Sequence, residues 1–552
     1  MFQLNRTHII NLLIILIGGI LYIPLTGRLH LFDWDEINFA ESAREMIVSG
    51  DYLNVQIFYK PFWEKPPLFI WMQVLSMKVF GINEFAARFP NAICGIATLL
   101  ILFNTGRKVR DERFGIIWTI AYLVSILPFI YFKSGIIDPW FNLFIFLCVI
   151  YWINGMNALQ DRVKTKCLLL SGFFLGLAIL TKGPAAGLIA GLTVGIVLLL
   201  NMFKFQLKFK HVLLFLVALI LTGGFWFILM LFTGNKQLIS DFITYQIRLF
   251  TQEDAGHGGF PMYHFVVLLI GVFPASVFAI IGHKKFSLES KEFTLFRWAM
   301  IVLFWIVLIL FSIVKTKIVH YSSMCYMPMT FLAAYAVENL IDKKARFRWW
   351  WGSILLVLGI IIALVGILVP VFGTYRQWFI DQGYVTHSFT IGNLQADPGW
   401  SVVTSVIGLQ LLIAIIASVI LLKQEKIIKA FTTLAASCLL FISLTVVFVV
   451  PGAEKISQNV VIEFFKDKSR EDAYFHTFYK SYAMLFYTKA PKPALNSKAF
   501  DERWLATGDI DKKVYFVIRV DKKDYVLGLY PKVEEMFEKN GYVFCVRYPE
   551  SN

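Results

Sequence analysis

The side chains best suited to chemistry in this sequence are charged groups and histidines in the short segments that separate its long apolar runs. In chain order they are Asp33, Asp35, Glu36, Glu41, Glu64, Lys65, Lys133, Asp138, Lys182, Asp241, Arg248, His257, His264, Lys315, Lys317, His320 and Tyr321. Lysine and arginine at a membrane boundary suit a phosphate carried on a lipid, and a carboxylate beside them can act as a general base toward an acceptor. The sequence has no P-loop or glycine-rich nucleotide fingerprint, so an activated sugar would have to arrive on a lipid. The set therefore indicates group transfer from a lipid phosphate.

The composition places these groups in a membrane protein. Of the 552 residues, 58% are hydrophobic and 16% are charged, whereas soluble globular proteins usually have about 45–50% apolar and about 25% charged residues. This excludes a soluble enzyme, a disordered protein and a fibrous protein. The six cysteines indicate no disulfide framework, because all but Cys545 lie in or beside apolar runs and there act as small core residues. We predict an α-helical polytopic membrane protein.

Apolar runs long enough to cross a bilayer predict thirteen transmembrane helices, the first of them an uncleaved amino-terminal helix. Their approximate limits are 9–25, 86–106, 114–132, 139–156, 167–181, 185–203, 212–232, 263–282, 296–314, 322–341, 349–372, 401–422 and 428–450. Clusters of lysine and arginine occur in every second connection, at 107–110, 162–166, 204–210, 284–285, 343–346 and 423–429. Because such clusters mark cytoplasmic loops, we predict a cytoplasmic amino terminus and an outer carboxy terminus. The basic cytoplasmic loops account for the net charge of +15. The charge therefore does not indicate nucleic-acid binding, and we expect no nucleic acid as a partner.

Two regions do not fit simple spans. Residues 26–85 are predicted to form a long outer loop with an amphipathic helix over Asp33–Ser49 and an interfacial or re-entrant helix over Pro67–Phe80. From about Gly452 the composition becomes that of a soluble protein, so we divide the chain into a transmembrane domain, 1–451, and a small outer α/β domain, 452–552. In the latter, Lys513–Val520 and Tyr542–Tyr548 are predicted as strands, with a helix over 531–540 between them.

Several of the candidate residues also have structural interpretations. Asp33 followed by Glu36 has the spacing of a helix capping box. Lys182 lies in a Lys-Gly-Pro turn, where it would cap helix carbonyls. Lys315 and Lys317 would equally serve as membrane-surface anchors at a helix end.

Histidine and tryptophan allow the same structural interpretation. A single histidine such as His257 or His320 more often makes a structural hydrogen bond than binds a ligand. The run Trp349–Trp351 is typical of an interfacial aromatic belt. A functional site is favoured because the candidate residues lie together on one face of the membrane.

Five motifs carry a resemblance to a known family. They are residues 34–41 (WDEINFAE), 63–68 (WEKPPL), 180–184 (LTKGP), 247–257 (IRLF followed by DAGH) and 315–321 (KTKIVHY). In this order they resemble the motifs of the lipid-donor glycosyltransferases of the GT-C superfamily, especially the bacterial aminoarabinose (lipid A) transferases and the protein O-mannosyltransferases. The thirteen-helix layout and the outer carboxy-terminal domain are similar as well.

The resemblance implies roles for individual residues. Asp35 is expected to be the catalytic carboxylate, with Asp138 as a second catalytic candidate in the same cavity. Lys65 and Arg248 are expected to hold the phosphate of the donor. The further substrate-binding candidates are Glu36, Glu64, Lys182, His257, Lys315, Lys317, His320 and Tyr321.

The same resemblance bears on the acceptor and on metals. Where the aminoarabinose transferases have an arginine three residues after the catalytic aspartate, this chain has Asn38, so lipid A, a glycan and a protein all remain open as acceptors. Some relatives bind a divalent cation near the glutamate that matches Glu64. We expect no required cofactor and assign no metal ligands, because the sequence shows no second ligand.

The expected function is therefore sugar transfer, with inversion, from a polyprenyl (undecaprenyl) phosphate carrier in the bacterial cytoplasmic (inner) membrane. The active site and the carboxy-terminal domain are expected on the periplasmic side, and membrane lipids surround the rest. One alternative is a flippase or exporter of lipid-linked sugars, although such proteins usually contain internal repeats and midplane sites. Another is a polysaccharide polymerase or ligase, which would use lipid-diphosphate glycans.

Overall fold

The computed structural model describes residues 5–62, 64–201, 207–252, 258–286, 289–494 and 497–550. Its amino-terminal part is one apolar helix followed by a long loop with secondary structure of its own. The elements are α1 (Arg6–Tyr22), α2 (Asp35–Ser49), the short paired strands β1 (Gln56–Ile57) and β2 (Lys60–Pro61), and α3 (Leu68–Phe80). Both helices predicted within this loop are confirmed to within two residues.

Helix α2 is amphipathic, and most of its apolar face is covered. Ile37, Ala40 and Ala43 are buried in a hydrophobic cluster that also contains Leu485 of the carboxy-terminal part. The helix ends at Gly50, whose φ of 72° is left-handed and suits glycine because it has no Cβ. The first loop is thus packed between the helical bundle and the carboxy-terminal region.

The main bundle follows between residues 84 and 341. Its helices are α4 (Glu84–Val109), α5 (Glu112–Leu123), α6 (Ile126–Tyr131), α7 (Asp138–Asn157), α8 (Asp161–Lys182), α9 (Ala185–Leu200), α10 (Phe209–Gly223), α11 (Phe225–Phe232), α12 (Lys236–Thr251), α13 (Tyr263–Gly271), α14 (Ala275–Gly282), α15 (Lys291–Ile313) and α16 (Tyr326–Ile341). A 3₁₀ turn over Val319–Cys325 leads into α16.

Helices α7 and α8 show how this bundle brings distant charges to one end. Asp138 is the first residue of α7 and Lys182 is the last residue of α8. Only three residues connect the two helices, which pack side by side, so the start of α7 lies beside the end of α8. Gly172 and Gly176 of α8 allow α10 to approach so closely that a Cβ at Gly172 would lie 2.2 Å from the Phe215 carbonyl. Small residues spaced by four are typical of such membrane-helix contacts.

Among the described residues, seven helices are long and apolar enough to cross a membrane, or nine if each of two bent pairs counts as one span. Every one of the thirteen predicted spans contains a helix, but the number thirteen is not confirmed. Helices α1, α9 and α16 have only 17, 16 and 16 residues. The predicted span 114–132 is interrupted near Ser125, between α5 and α6.

The remaining helices and strands complete the chain. They are α17 (Trp349–Thr374), α18 (Arg376–Asp381), α19 (Ser388–Leu394), α20 (Val406–Lys423), α21 (Ile427–Leu444), α22 (Val450–Ser457), α23 (Asn459–Lys468), β3 (Tyr474–Thr477), α24 (Ala483–Tyr487), α25 (Glu502–Thr507), β4 (Val514–Arg519), α26 (Lys523–Leu529), β5 (Glu534–Lys539) and β6 (Tyr542–Arg547). The strands form one sheet in the order β3-β4-β6-β5, with β3 and β4 parallel and the other pairs antiparallel. The domain boundary at 451 stays a prediction, and it falls inside a continuous helical run from Ile427 to Ser457.

The strands predicted over 513–520 and 542–548 are confirmed as β4 and β6, but the helix predicted over 531–540 is wrong. That segment contains the edge strand β5, and the helix of this region is α26, which ends before it. Asn540 and Gly541 have φ angles of 51° and 81°, and Lys539 pairs with Tyr542. An Asn-Gly pair in this conformation makes the two-residue turn of a β-hairpin. The Asn540-Gly541 dipeptide is therefore the sequence feature that indicates a hairpin at this position instead of a helix.

A buried ion pair fixes the first loop to α4. Arg88 donates from Nε to Glu36 Oε1 at 2.9 Å and from Nη2 to Glu36 Oε2 at 2.7 Å. The same guanidinium donates to the carbonyls of Thr26, Leu29 and His30, each at 2.8 Å. Because all these partners precede or begin α2, Arg88 sets the position of the whole segment that leads into Asp35.

We expect Arg88→Ala to lower the free energy of unfolding by about 3–5 kcal/mol, because it leaves the Glu36 carboxylate buried without its partner. Thermal unfolding of the purified protein in detergent measures this. Arg107→Ala is the matched control, since Arg107 lies exposed at the other end of the same helix, and it should change stability by less than about 0.5 kcal/mol. Equal stability of the two variants would contradict the role assigned to the ion pair.

Candidate active site

A cavity of about 710 Å³ lies where the first loop, the ends of the bundle helices and the carboxy-terminal region meet. Its volume suits a small-molecule or lipid-headgroup ligand. Most of its walls are apolar and aromatic. The charged residues and histidine that line it are Asp33, Asp35, Glu36, Glu64, Lys65, Arg88, Lys133, Asp138, Lys182, His320 and Lys480. The sequence-based candidates therefore largely converge on one cavity.

Asp138 and Lys182 form an ion pair in the wall of this cavity. Lys182 Nζ donates to Asp138 Oδ1 at 2.6 Å, and the two side chains are 13% and 2% exposed. The ammonium also lies 5.1 Å from the centre of the Tyr321 ring. Among the described residues, Asp138 Oδ2 has no hydrogen-bond partner. The pair thus neutralises most of two buried charges and leaves one carboxylate oxygen to accept a further hydrogen bond.

His320 connects this pair with Asp35. Its Nε2 lies 3.4 Å from Asp35 Oδ2 and 3.9 Å from Asp138 Oδ2. Burial lowers the pKa of His320 below its usual value, and the nearby Lys182 lowers it further, against the effect of the two carboxylates. The imidazole is therefore mainly neutral at pH 7 and can donate only one hydrogen bond at a time. Asp35 keeps an accessible side chain, 30% exposed, at the start of α2.

Lys65 and Arg248 lie on the same aromatic ring but differ in their access to the cavity. Lys65 Nζ is 5.3 Å and the Arg248 guanidinium carbon 5.2 Å from the ring centre of Tyr245. Lys65 and Tyr245 line the cavity, whereas Arg248 is exposed outside its lining. Burial lowers the pKa of Lys65, Lys182 adds to this effect, and Glu64, Asp35 and Asp138 oppose it. Lys65 is thus a partly desolvated cation that faces a ligand-sized space.

Glu36 lines the cavity but its carboxylate is already occupied. Besides Arg88, it accepts hydrogen bonds from the backbone N–H of Phe32 at 2.8 Å and of Gly135 at 2.5 Å. Burial alone would raise the pKa of Glu36, but Arg88 and these two donors hold it below its ordinary value. The geometry supports a positioning role for Glu36 and not direct contact with substrate.

The capping interpretation of Asp33 is wrong. The residue that precedes α2 is Trp34, and no side chain caps the first turn. The carboxylate of Asp33 instead lies near Ser481 and Tyr482, in the carboxy-terminal part of the chain. Burial raises the pKa of Asp33 to about 6, and these two neighbours oppose that shift. Asp33 therefore connects the rim of the cavity to the segment that covers it.

Residues 315–321, which follow α15, have two different locations. Some line the cavity, and others contact the end of α15. Lys317 is buried, and its ammonium donates to the carbonyls of Phe311, Ser312 and Val314 at 3.0, 2.7 and 2.6 Å. Lys317 therefore caps the C-terminus of α15, a structural role different from the membrane-surface anchor considered above. Lys315 is exposed and does not line the cavity. His257 lies outside the described residues, while His320 and Tyr321 line the cavity.

Sequence reasoning missed the contribution of the carboxy-terminal region. Lys480 and Tyr482 line the cavity, and Lys480 Nζ lies 4.4 Å from the centre of the Trp34 ring. These residues follow β3, more than 400 positions after Trp34. The local sequence around them, Tyr-Lys-Ser-Tyr, contains no recognisable motif, so only the tertiary contact identifies them.

The structure adds no ligand set for a divalent cation near Glu64. Among the described parts of the chain, no three His, Cys, Asp or Glu side chains are grouped where they could hold a metal ion. We therefore derive no chemical step through a metal ion.

Comparisons with known proteins agree with this architecture. Residues 64–226 match the family described as dolichyl-phosphate-mannose-protein mannosyltransferase. The chain has the fold of ArnT from Cupriavidus metallidurans: the structure bound to undecaprenyl phosphate superposes with a TM-score of 0.76 and 17% identity over 98% of both chains. The apo structure of the same protein gives a TM-score of 0.75 with 16% identity over 97% of both chains.

Curated relatives give a similar result. The chain is 25% identical over 363 residues to undecaprenyl phosphate-alpha-4-amino-4-deoxy-L-arabinose arabinosyl transferase 1 of Proteus mirabilis, which covers 65% of this chain and 64% of the relative. It is 27% identical over 356 residues to the corresponding Edwardsiella ictaluri protein, which covers 62% of this chain and 61% of the relative. The chain thus matches less than two thirds of the length of either relative.

Fold and sequence point in the same direction. The chain is a multi-pass membrane protein with the fold of ArnT, and its residues 64–226 are similar to the dolichyl-phosphate-mannose-protein mannosyltransferase family. The chain as a whole resembles the aminoarabinose transferases. The resemblance predicted from the five motifs is confirmed.

Proposed function

We propose that this protein is an integral-membrane glycosyltransferase that moves a sugar from a polyprenyl-phosphate carrier to an acceptor bound in the cavity. The observation that carries the proposal is the convergence of Asp35 and Lys65 on one cavity, beside the Asp138–Lys182 pair. An accessible carboxylate and a partly desolvated ammonium are the two groups that transfer from a lipid phosphate requires. The names of the curated relatives, which include undecaprenyl phosphate, support this donor class.

In the proposed reaction an acceptor oxygen attacks the anomeric carbon on the face opposite the phosphate. A new carbon–oxygen bond forms while the bond from the anomeric carbon to the phosphate oxygen breaks, so the configuration inverts. Asp35 receives the proton of an acceptor hydroxyl. The departing polyprenyl phosphate keeps the bonding electron pair, and Lys65 stabilises its charge. Asp138 and Lys182 orient the sugar, the former through its unpaired Oδ2.

Lipid A, a glycan and a protein are the candidate acceptors. Mass spectrometry of lipid A, glycans and envelope proteins from a deletion strain distinguishes them. A flippase or exporter is disfavoured because the ionisable residues of the candidate active site lie at one end of the bundle, whereas transporter sites usually lie near the midplane. A polymerase or ligase would share this chemistry, but it would act on a lipid diphosphate.

We expect Asp35→Asn to reduce sugar transfer by about 10²–10⁴-fold while polyprenyl-phosphate binding remains close to wild type, because the amide cannot accept the proton. Turnover by the purified enzyme and donor affinity measured in parallel test this. Asp33→Asn is the matched control, because it changes a neighbouring carboxylate that lies beside Ser481 and Tyr482, and it should retain most of the turnover. Wild-type rates in Asp35→Asn protein would show that this carboxylate is structural.

For the donor site, Lys65→Ala should weaken polyprenyl-phosphate binding by roughly 10- to 150-fold. This corresponds to a charge-assisted hydrogen bond of about 1.5–3 kcal/mol at about 1.4 kcal/mol per tenfold change. Arg248→Ala should have a smaller effect, because Arg248 lies outside the cavity lining. Lys315→Ala, which removes an exposed lysine of the same face, serves as the control and should bind normally. An affinity of Lys65→Ala within twofold of wild type would refute the phosphate assignment.

We further propose that the cavity and the carboxy-terminal region lie on the periplasmic side of the bacterial inner membrane. The lysine- and arginine-rich segments lie at the opposite ends of the helices that lead to the cavity, as Arg162, Lys164 and Lys166 at the start of α8 illustrate, and such segments favour the cytoplasm. An alkaline-phosphatase fusion to the carboxy terminus should therefore be active, and a green-fluorescent fusion at the same position should be dark. The reverse pattern would overturn this orientation.

A further inference from the structure

A second cavity, of about 480 Å³, lies between the α16–α17 connection and the α20–α21 connection. Four basic residues line it, Lys343 and Arg346 from the first connection and Lys426 and Lys429 from the second, and Glu425 is the one acidic residue in its lining. The rest of the lining is largely apolar and includes Leu340, Phe347 and Ile428. The cavity thus combines a formal charge of 4 − 1 = +3 with an apolar wall.

This cavity lies at the opposite end of the bundle from the candidate active site. Helix α16 begins next to the turn that carries His320 and ends at the second cavity. Helix α21 begins at the second cavity, and the helical run that continues it contributes Val446 and Val450 to the active-site cavity. Two helices therefore extend from one cavity to the other, and the two sites cannot share a ligand headgroup.

Neighbouring acidic residues do not neutralise the four cations. Glu338 and Asp342 are close in sequence, but they pair with Arg110 and Arg113, and Asp342 also pairs with Lys344. Among the described residues, no acidic side chain forms an ion pair with Lys343, Arg346 or Lys429. In addition, α21 begins here without a side-chain cap, and the N–H groups of a helix start favour an anion.

The adjacent residues place the cavity at the depth of lipid headgroups. Trp349 and Trp350, at the start of α17, are 75% and 37% exposed, and tryptophans concentrate at the membrane–water interface. An apolar wall beside exposed cations at this depth matches a molecule with acyl chains and a phosphate. A basic pocket between membrane helices is a known way to bind an anionic headgroup.

We propose that this second cavity binds the phosphate headgroup of an anionic phospholipid from the membrane leaflet opposite the active site. The cations contact the phosphate oxygens, and the acyl chains pass over the apolar wall near Phe347 and Ile428. The site does not depend on the proposed transfer reaction, because none of its residues lines the active-site cavity.

The test compares lipid binding by native mass spectrometry of the purified protein with phosphatidylglycerol, with zwitterionic phosphatidylcholine and with inorganic phosphate. The cavity variant is Lys343→Gln/Arg346→Gln/Lys429→Gln. The matched control, Arg162→Gln/Lys284→Gln/Lys285→Gln, removes three exposed cations from other connections on the same predicted side, none of which lines the cavity. Circular dichroism and size-exclusion chromatography in detergent show that each variant is folded.

We expect wild type and control to prefer phosphatidylglycerol over phosphatidylcholine, and the cavity variant to bind phosphatidylglycerol about 10- to 100-fold more weakly. If the triple variant does not fold, Arg346→Gln and Lys429→Gln singly should each weaken binding by about 3- to 6-fold, which corresponds to roughly 1 kcal/mol per cation. Unchanged affinity in the cavity variant, or an equal loss in the control, overturns the proposal. If wild type binds inorganic phosphate specifically and the cavity variant does not, the ligand is free phosphate and the proposal of a phospholipid is overturned.

Discussion

The buried ion pair between Glu36 and Arg88 is the interaction on which the candidate active site depends. Two charges removed from water are stable together only when their remaining donors and acceptors are also satisfied. Here Arg88 donates to three loop carbonyls, and Glu36 accepts from Phe32 and Gly135. The loop residues bonded to this pair precede Asp35 in the chain. On the other side of the cavity, Gly135 precedes Asp138 by three residues. The pair therefore places both candidate catalytic carboxylates by fixing the backbone on either side of the cavity.

Some charged side chains of the cavity are neutralised by an ion-pair partner, whereas others can interact with a ligand. Lys182 is held by Asp138, and Arg88 is held by Glu36. His320 is mainly neutral because burial lowers its pKa and two nearby lysines add to this effect, against the opposite influence of two carboxylates. Lys65 contacts an aromatic face instead of a carboxylate, so its charge remains for a ligand. Fixed groups of this kind need no reorganisation when charge develops on a leaving phosphate, which is the physical basis of electrostatic catalysis.

Three lysines that look equivalent in the sequence have three different environments. The sequence allows Lys182 to be a helix cap or a site residue, and in the structure it lines the cavity as part of an ion pair. Lys317 caps the end of α15 with three hydrogen bonds, while Lys315, two residues earlier, is exposed. No feature of the local sequence separates these outcomes, because each depends on which carbonyl or carboxylate another segment brings within about 3 Å. Similarly, Asp33 pairs with a segment that only the fold brings near it.

The sequence by itself determined the class of the protein, the positions of most helices and the motifs that belong to one face. These properties depend on local hydrophobicity and on charge placement, which act over a turn of helix or one span. It also contained the Asn540-Gly541 turn, although the neighbouring residues favoured a helix prediction. Only the tertiary structure decided which charges meet, how Arg88 positions the first loop, and that Lys480 of the carboxy-terminal region closes the cavity over Trp34. Those contacts join segments tens to hundreds of residues apart, and their energies depend on burial and distance, which no local pattern encodes.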